Sequence, residues 1–156
     1  MAPLPSRGTA ADAALLLLRA SGVFMATNHG WGKLVRLLSG DTGFVTGVQQ
    51  LGFPYPLVFA WAAALTETVA ALFVAFGLFT RAAAALNAFG MAVAAFARHR
   101  AHLQWLASFG LAQYPADTVR AWGNYELALM YLLIFLGLAL AGGGRFAVDR
   151  LLPRRR

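Results

Sequence analysis

The sequence predicts an all-α integral membrane protein, a four-helix bundle with both termini on the cytoplasmic side. Its 156 residues are 60% hydrophobic and 12% charged, with a mean hydropathy of +0.62. An ordinary soluble domain has about 45–50% apolar and about 25% charged residues. Four apolar segments approach or exceed the roughly 20 residues that cross a bilayer. The length predicts one domain, residues 1–156, without a separate soluble catalytic module.

Turn-forming residues separate the four predicted helices. The helices are expected over about residues 10–38, 57–79, 81–98 and 122–141, followed by a basic C-terminal tail, residues 142–156. Thr80 is predicted to cap the third helix, because its hydroxyl can accept hydrogen bonds from the free amides of the first turn. The glycine run Gly142–Gly144 is expected to end the fourth helix.

The basic residues predict the orientation. An even number of spans puts both termini on one side. Arg7, Arg81, Arg145, Arg150 and Arg154–Arg156 fall on that side, and Lys33, Arg36, Arg98, Arg100 and Arg120 fall on the other. The positive-inside rule favours cytoplasmic termini. We interpret the net charge of +7 as a topology signal and as contacts to anionic lipid, not to nucleic acid, because no basic and aromatic groove pattern accompanies it.

Glu67 is the most informative residue, because it lies in the middle of the uncharged second segment. An ionisable group inside a span costs about 2.5 kcal/mol or more and therefore faces protein or a cavity. Its neighbours at helical spacing, Ala60, Ala63 and Ala70, form a stripe of small residues on which another helix can pack closely. The alternatives are a functional carboxyl group and a structural one, either ion-paired or protonated.

The first segment offers a cation for Glu67. Arg19, His29 and Lys33 share one helix face with small residues between them. With a helix rise of about 1.5 Å per residue, Arg19 and Glu67 are expected at depths in the membrane that differ by no more than about one helical turn. We therefore predict an Arg19–Glu67 ion pair, since the long arginine side chain can span that difference.

A second group of polar residues is expected near the outer face, where His29, His99, His102 and Glu126 reach similar heights. Imidazoles and a carboxyl group there could relay protons, bind a metal or donate hydrogen bonds to a quinone carbonyl. We predict no metal site, because two histidines among arginines in a loop are more typical of solvated interface residues. The tryptophans, including Trp31 and Trp122, suit an interfacial aromatic belt or a stacking surface for a planar ligand.

The chain contains no cysteine, which excludes disulfides, thiol nucleophiles and Cys-ligated iron–sulfur clusters. No electron carrier is recognisable within the sequence. Electrons would therefore come from a directly bound substrate or from a cofactor on a partner subunit.

One combination of motifs is similar to a known family. It comprises Arg19, the motif His29-Gly30-x-x-Lys33, Glu67, the turn Gly77-Leu-Phe-Thr-Arg81, Glu126 and the ending Gly144-Arg-Phe-Ala-Val-Asp149-Arg-Leu-Leu152. This combination resembles the DoxX family of small four-helix bacterial membrane proteins over nearly the whole chain. The resemblance implies a bundle in the bacterial cytoplasmic membrane. It also implies a link to quinone redox chemistry, since the name-giving member is a subunit of a thiosulfate:quinone oxidoreductase.

The leading functional hypothesis is a quinone-linked membrane oxidoreductase component with quinone as substrate and no cofactor held within the chain. Its predicted catalytic residues are His29, Glu67 and Glu126, and its predicted ligand contacts are Arg19, Trp31, Lys33, His99, His102 and Trp122. The expected partners are membrane lipid, quinone and a partner oxidoreductase subunit. The alternatives are a non-enzymatic scaffold that recruits a redox partner through the basic tail, and a small-molecule transporter that uses Arg19 and Glu67.

Overall fold

The computed structural model describes residues 8–151, and these residues are helical with short connections. The helices are α1 (Thr9–Leu38), α2 (Gly43–Gln50), α3 (Pro56–Phe76), α4 (Thr80–Arg98), α5 (Ala101–Ser108), α6 (Ala116–Trp122) and α7 (Glu126–Ala141), followed by a 3₁₀ turn at Val148–Arg150. The predicted roles of Arg7 and Arg154–Arg156 lie outside the described residues.

The predicted all-α membrane fold is confirmed by four helical spans that are long and apolar enough to cross a bilayer. They are Thr9–Leu38, Pro56–Phe76, Thr80–Arg98 and Ala116–Ala141. The last span combines α6 and α7, which are separated by a break at residues 123–125. The cytoplasmic location of the termini stays a prediction.

Large apolar side chains cover the outside of the bundle. Leu17, Phe89, Leu133 and Leu140 are each at least 67% exposed. Contact between such side chains and the hydrocarbon of a bilayer is favourable, whereas water-soluble monomers rarely expose large contiguous apolar patches. The outer surface is therefore suited to contact with lipid.

Glycine brings α1 into direct contact with the backbone of α3. A Cβ atom placed on Gly22 would overlap the Ala71 carbonyl, and one placed on Gly30 would overlap the Glu67 carbonyl. Small residues at helix contacts are typical of membrane bundles, because close approach maximises van der Waals packing. These two glycines determine which residues of α1 and α3 lie side by side.

The boundary between α3 and α4 differs from the prediction. The second span ends at Phe76, because Gly77 takes a left-handed backbone conformation with φ +74°. The prediction that Thr80 caps the next helix was wrong, since Thr80 is already helical. The cap is instead the carboxylate of Asp149, which accepts hydrogen bonds from the Phe79 amide at 2.6 Å, the Thr80 amide at 2.9 Å and the Thr80 hydroxyl at 2.7 Å.

The segment after α7 returns to the end of the bundle where α1 begins, which we call the terminal end. The Arg145 amide donates to Asp12 Oδ1 at 2.9 Å. The Asp149 amide donates to the Gly77 carbonyl at 2.9 Å. These bonds connect α1, the α3–α4 turn and the C-terminal segment.

Candidate functional site

Glu67 is buried and paired with Lys33. Both Glu67 carboxylate oxygens lie 2.5 Å from Lys33 Nζ. The Glu67 side chain is 6% exposed, whereas the Lys33 side chain is 31% exposed. A buried carboxylate therefore has a cation that remains partly accessible. The predicted Arg19–Glu67 ion pair was wrong.

Arg19 lies at the terminal end instead. Its guanidinium donates to the Ala75 carbonyl from Nε at 3.3 Å and from Nη2 at 3.0 Å, and to the Gly143 carbonyl from Nη1 at 3.0 Å. Arg19 and Glu67 were predicted to lie at the same level along the bundle. That prediction failed because α1 has 30 residues and α3 has only 21. The extra length of α1 extends beyond the end of α3, so Arg19 meets the last turn of α3 and Lys33 meets Glu67.

Two π-helical turns meet where this ion pair lies. One covers Ala26–Gly30 in α1 and the other covers Thr66–Ala70 in α3. Isolated π turns inside α-helices are rare and frequently occur at functional sites, because the extra residue redirects side chains and leaves irregular backbone hydrogen bonding. His29 belongs to the first of these turns and Glu67 to the second, whereas Lys33 follows the first turn in regular α-helix.

One aromatic ring contacts the ion pair, and a second contacts the neighbouring His29. The half-buried His29 ring meets Tyr131 of α7 edge to face, with 5.7 Å between ring centroids. The Phe44 ring of α2 lies 5.2 Å from Lys33 Nζ. We call Lys33, Glu67, His29, Tyr131 and Phe44 the central polar site. It combines a cation, a carboxylate and an imidazole with two aromatic rings.

Four other predicted site residues, His99, His102, Trp122 and Glu126, lie toward the opposite end of the bundle, and Trp31 lies on α1 between His29 and Lys33. His99 Nδ1 is 2.7 Å from the Trp122 carbonyl, so His99 and Trp122 are neighbours. His102 and Glu126 are exposed, and Trp31 is 60% exposed. Of the predicted site residues, the structure joins Lys33 and Glu67 directly and places His29 in the adjacent π turn of α1, whereas the remaining ones lie outside the central polar site.

Metal binding was the alternative considered for the histidines and the carboxyl group near the outer face. No group of three or more His, Asp or Glu side chains among residues 8–151 is arranged to hold a metal ion. His99 is hydrogen-bonded to the Trp122 carbonyl at the end of α6, and the His102 ring centroid lies 6.3 Å from that of Phe96.

We expect Gly30→Ala to disrupt the central polar site and Gly32→Ala to leave it intact. An added methyl group at Gly30 would collide with the Glu67 carbonyl and with Thr68 Oγ1, whereas nothing lies within 4 Å of the same position on Gly32. Overpacking of this kind typically lowers the free energy of unfolding by about 1–3 kcal/mol. Unfolding titrations in detergent would measure the difference. Equal stability of the two variants would contradict the close α1–α3 contact.

Comparison with known proteins identifies the family. The DoxX family model matches residues 14–100, which is more than half of the chain. The chain belongs to the DoxX family. The matched region contains Lys33 and Glu67, so both partners of the buried ion pair lie in the DoxX homology region.

Two relatives are similar to most of the chain. An uncharacterized protein of Haemophilus influenzae is 34% identical over 135 residues, which are 86% of this chain and 87% of the relative. The Inner membrane protein YphA of Escherichia coli K12 is 32% identical over 146 residues, which are 92% of this chain and 93% of the relative. No solved structure matches the chain significantly. With its four spans, this DoxX protein is a multi-pass membrane protein, and its similarity to YphA supports the inner membrane as its location.

Proposed function

We propose that the protein is the quinone-binding membrane component of an oxidoreductase and that the central polar site receives the quinone headgroup. The observation that carries this proposal is the buried Glu67 carboxylate, whose cation Lys33 is 31% exposed and lies on the same α1 face as His29. A purely structural ion pair needs no accessible ammonium. A ligand site does.

The chemistry of the site suits a quinone. Lys33 has three N–H donors, of which the two Glu67 oxygens account for two, so one remains for a quinone carbonyl. Reduction of a quinone to a quinol consumes two electrons and two protons. The Lys33 ammonium that bonds to a quinone oxygen can give it one proton, and the His29 imidazole can relay the second proton from water. The Glu67 carboxylate can then accept a proton from water and return it to Lys33.

The surroundings of the site suit the rest of such a ligand. Phe44 and Tyr131 offer aromatic faces to a planar headgroup. The exposed apolar faces of the bundle allow a lipid-soluble ligand to approach from the membrane. Electrons would arrive from a partner subunit or a bound donor, since the cysteine-free chain cannot hold a Cys-ligated cluster.

This proposal omits six residues that the sequence placed at the site, namely Arg19, Trp31, His99, His102, Trp122 and Glu126. The Arg19 guanidinium donates hydrogen bonds to the carbonyls of Ala75 and Gly143. Glu126 is exposed and lies five residues before Tyr131, a helix rise of about 7.5 Å. The proposed proton-carrying groups are Lys33, Glu67 and His29.

Titration of the purified protein with ubiquinone-1 in quinone-free nanodiscs tests the proposal. We expect saturable quenching of tryptophan fluorescence in the native chain. In a Lys33→Met/Glu67→Gln variant, binding should weaken about tenfold or more. A hydrogen bond from a charged group contributes about 1.5–3 kcal/mol, and 1.4 kcal/mol corresponds to a factor of ten.

Asn28→Ala is the matched control. Asn28 is the exposed neighbour of His29 in the same π turn, and its amide is bonded only locally, to the Phe24 carbonyl and to Thr27 Oγ1. This variant should bind like the native chain, whereas His29→Ala should bind more weakly. Quenching that does not saturate, or that is identical in all variants, would refute a quinone site at these residues.

A further inference from the structure

We propose that a second site, at the end of the bundle opposite the terminal end, binds a phosphate group. A cleft of about 360 Å³ lies between α2, the turn after α4, and α6. Arg98 and Arg100 line it together with Gln50 and Trp122. We call these four residues the arginine cleft. They are distinct from the central polar site, so this proposal does not depend on the quinone proposal.

The two arginines are chemically available. Within residues 8–151, neither Arg98 nor Arg100 has a carboxylate within ion-pair distance. Arg98 makes a single long hydrogen bond, 3.4 Å to the Ala121 carbonyl. In contrast, Arg19 is buried and donates three hydrogen bonds. Two exposed guanidinium groups in one cleft therefore retain most of their N–H donors.

Guanidinium groups favour phosphate as a ligand. The planar guanidinium presents paired donors that match two oxygens of a phosphate, and charge-assisted hydrogen bonds of this kind are about twice as strong as neutral ones. Gln50 adds an amide donor, and Trp122 adds an indole N–H and an apolar surface. The cleft volume lies within the range of about 300–1,000 Å³ that is usual for ligand sites.

Hydrogen bonds join two walls of the cleft, the turn after α4 and the end of α6. The Gln104 side-chain amide donates to the His99 carbonyl at 2.7 Å and to the Gly123 carbonyl at 2.9 Å. His99 Nδ1 is 2.7 Å from the Trp122 carbonyl. The turn that carries Arg98 and Arg100 is thus bound directly to the end of α6, and a ligand would meet a preformed cleft.

The position of the cleft indicates where its phosphate comes from. Arg98 is the last residue of the span Thr80–Arg98, so the cleft lies at the boundary between hydrocarbon and water. Lipid phosphates lie at this depth, and tryptophan is enriched there. A soluble phosphate ester can reach the same place from the water. The shared ligand chemistry is a phosphate bearing negatively charged oxygens.

Native mass spectrometry of the delipidated full-length protein in detergent tests this proposal. The protein is titrated with phosphatidylglycerol, with phosphatidylcholine and, in a separate arm, with inorganic phosphate. We expect the first phosphatidylglycerol to bind about tenfold more tightly than phosphatidylcholine. An Arg98→Gln/Arg100→Gln variant should lose this preference. An Arg98→Lys/Arg100→Lys variant should retain part of it, because lysine keeps the positive charge but lacks the paired N–H donors of a guanidinium.

The matched control is Arg36→Gln/Arg120→Gln. It removes the same charge from exposed residues at the same end of the bundle but outside the cleft. Retention of the preference in this control supports the site. Saturable binding of inorganic phosphate that only the cleft variant loses would also support it and would identify a soluble ligand. Equal loss in both variants, or loss in neither, would overturn the proposal.

Discussion

Lys33→Met is expected to lower the free energy of unfolding by about 3–5 kcal/mol, because it leaves the Glu67 carboxylate without its cation. Both Glu67 oxygens bond to Lys33 Nζ, and the Glu67 side chain is only 6% exposed. Among residues 8–151, no other basic side chain lies within ion-pair distance of Glu67. Unfolding titrations with sodium dodecyl sulfate, monitored by helix content, would measure the loss.

The double variant Lys33→Met/Glu67→Gln separates pairing from packing. It removes both charges and keeps similar side-chain volumes, so we expect it to recover most of the stability that Lys33→Met loses. Arg120→Gln provides the surface comparison, because Arg120 and Asp117 are 82% and 97% exposed and 3.9 Å apart. We expect no measurable effect there. A double variant as unstable as the single one would show that packing, and not charge, dominates.

The double variant also distinguishes the two roles of the pair. If Lys33 and Glu67 serve only to hold α1 on α3, a stable neutral pair should leave ligand binding unchanged. If they form the proposed headgroup site, the stable double variant should still bind quinone weakly. The combination of recovered stability and lost binding would therefore separate function from folding.

Asp149→Ala is expected to lower the free energy of unfolding by about 2–4 kcal/mol. The loss of a helix cap costs about 0.5–2 kcal/mol, and an unsatisfied buried group costs about 1–3 kcal/mol. The carboxylate accepts hydrogen bonds from two amides and a hydroxyl at the start of α4, and Thr80 is fully buried. Thermal unfolding in detergent would measure the change in stability.

Limited trypsin digestion gives a second readout for the same variant. If Asp149 holds the C-terminal segment against α4, Asp149→Ala should speed cleavage after Arg145 and Arg150. Asp41→Ala is a suitable control, because Asp41 is exposed and accepts a hydrogen bond only from the nearby Gly43 amide. Equal stability and equal cleavage rates in the two variants would contradict the capping role of Asp149.

Hydropathy alone could predict the membrane helices, because a bilayer requires long apolar segments with internally satisfied backbone hydrogen bonds. The predicted and observed starts of the first three helices agree within one residue. The start of the fourth was less predictable, since α7 begins at Glu126 after a short helix and a break. Glycine conformation and loop geometry decided that boundary, and neither affects hydropathy.

The ion pair was less predictable than the helices. Glu67 was identifiable as a buried group because a charge within an apolar span requires a partner. Lys33 was visible on the correct face of α1, but the choice between Arg19 and Lys33 depends on how far α1 is displaced along α3. Gly22 and Gly30 were the sequence features that could have indicated this displacement, since two glycines eight residues apart mark where the backbones of α1 and α3 meet.

The sequence by itself determined the membrane class, the four spans and the need for a partner to Glu67, because these follow from composition and from the cost of burying charge in lipid. Only the tertiary structure decided which cation pairs with Glu67 and which carboxylate caps α4. Both choices depend on the register between helices and on the returning C-terminal segment. Contacts between residues far apart in sequence determine that register, and periodicity within one helix carries little information about it.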